Sequence, residues 1–324
     1  MRCPYKPLDT GIIHTHSIES HQHVLREPIK RCTSFMGQIV CTETIAVTCK
    51  YCQSKNVVKN GKKDGYQYYL CKDCGHTFAY NNATPGMRYP PQQIASALSM
   101  FYEGLSIDAI RRELDQMYKV YPSDSTVYEW VVRFTKVAVE QGKITNVKVG
   151  DTWIADETVL KLDSPSKDDL WFWDIIDDKT RFLLASHMSF TRSTQDAKKL
   201  MQKAFETADK SPKVIITDKL RSYLDGIELT FGADTKHKQG GPFDIEKNTN
   251  LIERFHGTLK ARTKVMRGMH NKDTARLIMD GWLVHYNFFR PHEALNNRTP
   301  GEVAKADFPF KNWIDVVQGV SKDV

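Results

Sequence analysis

The chain has 324 residues, 40% of them hydrophobic and 26% charged, a balance that suits folded globular modules and excludes a low-complexity chain. Its formal charge of +7 is mildly basic, compatible with an anionic partner without requiring one. No apolar run approaches the roughly 18 residues that span a bilayer, and the opening residues lack the unbroken apolar stretch of a signal peptide, so the expectation is a cytoplasmic protein with no membrane partner.

Residues 1–45 show no sustained periodicity. Their His-rich stretch "HTHSIESHQH" fits no defined ligand spacing, and an unassigned, flexible segment is expected. Residues 46–80 are different. Cys49 and Cys52 form one Cys-x2-Cys pair, 18 residues follow, and Cys71 and Cys74 form a second. Four thiolates make a closed tetrahedral shell for one Zn²⁺, with no open position, so this metal is expected to be structural. "KNGKKDG" reads as the turn-rich tip between two strand-like runs, giving a zinc ribbon. Cys3, Cys32 and Cys41 are left over, and the odd total of seven argues against a disulfide framework.

Residues 88–140 read as helices. Prolines open the first, Ser106 caps the second, and Ile107, Ile110, Leu114 and Met117 share a face. The third places Val127, Trp130, Val131, Phe134 and Val137 on one stripe. Three helices with short turns predict an all-α helix-turn-helix. Its last helix would offer Ser123, Ser125, Thr126 and Tyr128 to a DNA groove, with Arg133 and Lys136 near phosphates. A structural or dimerising bundle has the same pattern.

From residue 150 the period changes. Three strand-like runs, an amphipathic helix, a short strand "KVIITD", a helix, a strand near "TKHKQ" and a final helix predict an α/β domain with a mixed central sheet over 150–300. Residues 301–324 read as a C-terminal tail.

Three carboxylates stand out in this domain. Asp156 lies inside the first apolar strand, where an unpaired acid is costly. Asp218 ends a buried strand, a frequent place for ligand-binding groups in α/β sheets. Glu253 heads the helix "NLIERFHGTLKAR", whose polar stripe continues as His256, Lys260, Lys264 and Arg267. Clustered acids repel one another unless a cation neutralises them, and oxygen ligands favour Mg²⁺ or Mn²⁺. Glu246 is a rival for the third position; Asp174, Asp177 and Asp178 are rivals for the first. Residues 251–300 hold nine Lys or Arg against four Asp or Glu, so basic charge gathers beside the third acid.

"ADET" at Asp156, "ITDK" at Asp218 and "NLIERFHGTLKAR" at Glu253, with 34 residues between the last two acids, resemble the DDE transposases of bacterial and archaeal insertion sequences. The match is to the sixth insertion-sequence family and its archaeal relatives, within the RNase H-like integrase superfamily. Lys260, two turns after Glu253, and the ending "YNFFRPHEALNNRTPGEV" share the resemblance. It implies an RNase H-like fold for 150–300 and two Mg²⁺ or Mn²⁺ ions held by Asp156, Asp218 and Glu253. The implied reaction is cleavage at transposon 3′ ends followed by strand transfer. The implied partners are terminal inverted repeats, target DNA and further copies of the chain, at least a dimer. Lys260, Lys264 and Arg267 would hold phosphate. The carboxylates alone equally permit a hydrolytic nuclease, or a zinc-ribbon and helix-turn-helix regulator with an inactive domain.

Overall fold

The computed structural model describes residues 29–35, 38–44, 47–63, 65–81, 83–161, 169–240, 249–266 and 272–319. The rivals' residue Glu246 and the ridge residue Arg267 lie outside these, as does the His-rich stretch. The chain divides into two compact units, Met1–Tyr80 and Asn81–Val324.

In the first unit, β1 (Ile29–Phe35) and β2 (Gln38–Thr44) pair antiparallel, a hairpin inside the stretch where sequence showed no periodicity. β3 (Val57–Lys63), β4 (Tyr66–Cys71) and β5 (Thr77–Ala79) form a three-stranded antiparallel sheet. Cys49, Cys71 and Phe78 are its small buried core, with Tyr51, Val57 and Tyr69 against them. So little apolar surface supports a fold only with a staple, which is the service a structural metal supplies.

The second unit opens with three helices. α1 (Pro91–Tyr102) has Pro at its first position, where a missing N–H costs nothing. α2 (Ile107–Tyr118) is capped by Ser106, which accepts from Ala109 N, and ends at Lys119 in the left-handed region. α3 (Asp124–Gln141) is capped by Ser123, which accepts from Thr126 N. Val127, Trp130, Val131 and Phe134 are buried as the spacing predicts. Met117 departs from the predicted face of α2 and stands 60% exposed, while the adjacent Tyr118 turns to α1 and bonds Ser96 Oγ at 2.9 Å.

β6 (Thr152–Leu160), β7 (Leu170–Asp177) and β8 (Leu183–Ser189) follow as an antiparallel meander. α4 (Thr194–Ala208) begins with a Ser193–Asp196 capping box. β9 (Val214–Thr217) then pairs parallel with β6, α5 (Arg221–Phe231) crosses over, and β10 (Lys236–Gln239) pairs parallel with β9. The sheet is mixed, in the order β10-β9-β6-β7-β8, as the sequence predicts. One core holds Trp153, Trp173, Leu200 and Tyr223 between the sheet, α4 and α5.

α6 (Asn250–Val265) and α7 (Lys272–Val284) cover the other side. α8 (Pro300–Val303) and α9 (Trp313–Gly319) finish the chain. The packing of the first and last elements of this unit bears on two expected boundaries. α1, α2 and α3 do not stand apart: Ile94, Leu98, Val131 and Phe134 share one core with Phe255, Leu259, Trp282 and Trp313. Nor is the C-terminal stretch a tail as far as Gly319. Trp313 is buried, stacked on Tyr102 at 5.1 Å, and its indole N–H donates to His285 Nδ1 at 3.2 Å. Apolar side chains on these short elements have nowhere else to hide from water.

Candidate active site

Local structure delivers the acids. β6 and β9 run parallel with Ile154 opposite Ile216, so Asp156, midway along β6, comes level with Asp218 just past the end of β9. Asp218 follows the last residue of β9, and its Oδ1 accepts from Leu220 N at 2.9 Å. Asp156, Glu157 and Asp218 each place a carboxylate oxygen within 4.8 Å of the other two. Glu157 is the member the sequence reading missed. Its side chain is 2% exposed, ion-paired with Arg192 and hydrogen-bonded with the buried Tyr223 hydroxyl.

Burial pushes Asp156 up to about 7, with Asp174 adding like-charge repulsion and His256 opposing it. Burial likewise raises Glu157. Carboxylate oxygens gathered this closely repel one another unless a cation stands between them, so an all-oxygen donor set built on Asp156 and Asp218 fits Mg²⁺ or Mn²⁺.

A second group braces the first from the α6 side. Asp174 stands opposite Asp156 in the β6–β7 register and is fully buried. His256 reaches both, with Nε2 2.7 Å from Asp174 Oδ2 and Nδ1 3.5 Å from Asp156 Oδ2. Burial alone would lower the imidazole pKa; the two carboxylates outweigh it and hold it raised. His256 therefore does not belong to the exposed basic stripe where the helical wheel puts it. Of the rivals for the first position, Asp177 is buried but spends its carboxylate on Gly150 N, Thr180 N and Thr180 Oγ1. Asp178 is exposed on the following turn.

Glu253 sits in the first turn of α6, exposed, and accepts from Thr249 Oγ1 at 3.0 Å. It is not a member of the close carboxylate group. Lys260 and Lys264 are exposed further along α6. Lys264 and Tyr128 line one cleft of about 760 Å³, together with Asp108 and Asp124, so one expected DNA contact from each set faces shared space. Ser123, Ser125, Tyr128 and Arg133 are exposed at the start and along α3, and the Ser123 hydroxyl meets both Thr126 N and Ser125 Oγ in the helix cap.

In the other unit the four cysteine sulfurs lie within 4.8 Å of one another, with Cys49–Cys74 and Cys52–Cys71 each at 3.6 Å. Tetrahedral thiolates about 2.3 Å from a zinc would stand at nearly this separation.

Residues 150–292 match the family described as the DDE domain. A comparison with curated protein sequences gives no match. Among solved structures, the chain is similar to the HTLV-2 integrase catalytic core domain in complex with magnesium, at 14% identity and a TM-score of 0.38, over 49% of this chain and 99% of that one. It is similar to the catalytic core domain of BIV integrase at 16% identity and 0.36, over 48% and 94%. A third match is a simian T-cell lymphotropic virus intasome in complex with a PP2A regulatory subunit, at 12% and 0.37, over 64% and 74%.

Proposed function

We propose that this chain, whose residues 150–292 form a DDE transposase domain, cuts DNA at the ends of a mobile element and joins those ends to target DNA. The observation that carries the reading is the convergence of the Asp156 and Asp218 carboxylates where β9 ends beside the middle of β6. A divalent ion bound there supplies activation of an attacking oxygen and stabilisation of the leaving one.

The chain's own residues do the rest. Asp156 and Asp218 hold the site's negative charge where water meets a phosphodiester. Water adds to phosphorus, the bond to the 3′ oxygen breaks, and that oxygen leaves as a hydroxyl while the other strand end keeps the phosphate. The new 3′ hydroxyl then attacks a target phosphodiester, whose own 3′ oxygen departs. Glu253 completes the set from α6, on the turn before His256, which already touches Asp156. Lys260 and Lys264 offer phosphate contacts on the same helix. Ser125, Tyr128 and Arg133 offer them on α3, and the cysteine cluster holds one structural zinc. Acting on two ends requires at least two copies.

The test uses a labelled duplex taken from the DNA flanking the coding region, with Mg²⁺ or Mn²⁺. Release of a 3′ hydroxyl followed by joined products is expected. Nicks without joining would indicate a hydrolytic nuclease. No metal-dependent nick of any kind would leave a DNA-binding regulator with an inert domain.

A further inference from the structure

A line of cations and aromatic rings leads away from the acid cluster. Arg192, ion-paired with the nearly inaccessible Glu157, lays its guanidinium over the Trp171 ring at 4.3 Å. Its own side chain is 37% exposed, so the pairing holds a charged plane at the surface instead of hiding it. Two residues earlier, Phe190 is 46% exposed with Lys272 Nζ 5.0 Å from its ring centre. Lys272 in turn lines a cleft of about 430 Å³ with Lys199, Lys203 and Arg276, against which Glu206 and Asp280 set two negative charges. The cleft meets the loop through Lys272 and Phe190, the loop meets the acid cluster through Arg192 and Glu157, and only two positions of chain separate Phe190 from Arg192.

An exposed phenylalanine on a charged rim costs solvation and contributes little to a core. Alternating cations and aromatic faces match the chemistry of an unpaired nucleotide strand, whose phosphates seek the cations while its bases stack on the rings. An acidic peptide would be served by the cations alone. We propose that the loop 190–193 and the cleft beside it form a track that holds an unpaired DNA strand on its way to the Asp156–Glu157–Asp218 cluster. Glu157 fixes Arg192, Arg192 and Trp171 form one stacking platform, and Phe190 with Lys272 forms the next. The inference rests on the reading of the domain as DNA-processing, and it adds that the strand is opened on this side of the sheet.

The experiment measures metal-free binding by the full chain to three fluorescent or competing probes: a duplex with a single-stranded overhang, the same duplex with a blunt end, and polyglutamate. The wild-type chain should prefer the overhang. Phe190→Ala and Lys272→Ala, both at exposed positions, should each weaken overhang binding about tenfold and leave blunt-duplex binding unchanged. Arg192→Lys, which keeps charge and removes the stacking plane, should do the same. Unchanged overhang binding, equal losses on both duplexes, or competition by polyglutamate as effective as by DNA would each overturn the track. Because no metal or cleavage enters the assay, a chain that never nicks DNA but shows the overhang effect would sink the transposase reading and leave the track standing.

Discussion

His256 Nε2 lies 2.7 Å from Asp174 Oδ2, with the side chains 7% and 0% exposed. This contact fastens α6 to the middle of β7, and through Nδ1 to Asp156 on β6. It therefore sets where Glu253, one turn earlier, begins. Removing the imidazole leaves Asp174 buried without its partner, and its Oδ1 has none already. His256→Ala is expected to cost about 3–5 kcal/mol in urea unfolding. A loss under about 1 kcal/mol, the range of a surface pair, would show that the latch does not hold the helix.

The zinc ribbon gives a stoichiometric prediction. Metal analysis should find one tightly held zinc per chain, and Cys71→Ser should lose it, because three thiolates cannot close the shell. Replacing Cys3, Cys32 and Cys41 together should leave it in place. Full zinc retention in Cys71→Ser would overturn the assignment.

Gly281 on α7 faces Tyr102 Oη and Thr135 Cγ2 so closely that a methyl group there would collide with both. Tyr102 and Thr135 share a 2.5 Å hydrogen bond that joins α1 to α3. Gly281→Ala should therefore destabilise the second unit by about 1–3 kcal/mol through overpacking. Thermal unfolding identical to wild type would show that α1, α3 and α7 are not one core.

Asp196 supplies a pH dependence. Burial works to raise its pKa, but Ser193, Thr191 and His187 hydrogen bonds to the carboxylate prevail and hold it at about 2, against 3.8 for the free side chain. A folded-state value below the unfolded one contributes stability that is present above about 4 and lost as pH falls towards about 2. Urea midpoints across that window should fall more steeply for wild type than for Asp196→Asn. Ser193→Ala, which removes the reciprocal cap, should cost about 1 kcal/mol. Parallel pH curves for wild type and Asp196→Asn would contradict the assignment.

Much of this was legible in the order of elements. The shift from a period near 3.6 to a period of 2 at residue 150, an acid inside the first strand and another ending a buried strand lead to Asp156 and Asp218 side by side on one sheet. Glu157 was not legible. Strand alternation sends neighbours to opposite faces, which argues that only one of Asp156 and Glu157 can serve a site. Asp218 stands past the end of β9, where carboxylates from both faces of β6 come within reach. His256 was misplaced for a related reason: a helical wheel finds the polar stripe but not the buried carboxylate waiting on β7. The burial of Trp313 depends on its stack with Tyr102, a partner 211 positions away, which no local period in a seven-residue helix reveals.

The central claim is that a carboxylate set built on Asp156 and Asp218, completed by Glu253 from α6, carries metal-dependent chemistry on DNA. The most direct measurement is Mg²⁺-dependent end cleavage and joining by Asp156→Asn, Asp218→Asn, Glu253→Gln and Glu157→Gln, each with its zinc content and unfolding midpoint checked. Asp156→Asn, Asp218→Asn and Glu253→Gln should each lose about a thousandfold in rate, near 4 kcal/mol of transition-state stabilisation. Glu157→Gln should retain most of the chemistry, since its first role is to fix Arg192. If Glu253→Gln cleaves like wild type while Glu157→Gln is inert, the third carboxylate is Glu157; if Asp156→Asn and Asp218→Asn both cleave normally, the cluster is not the active site.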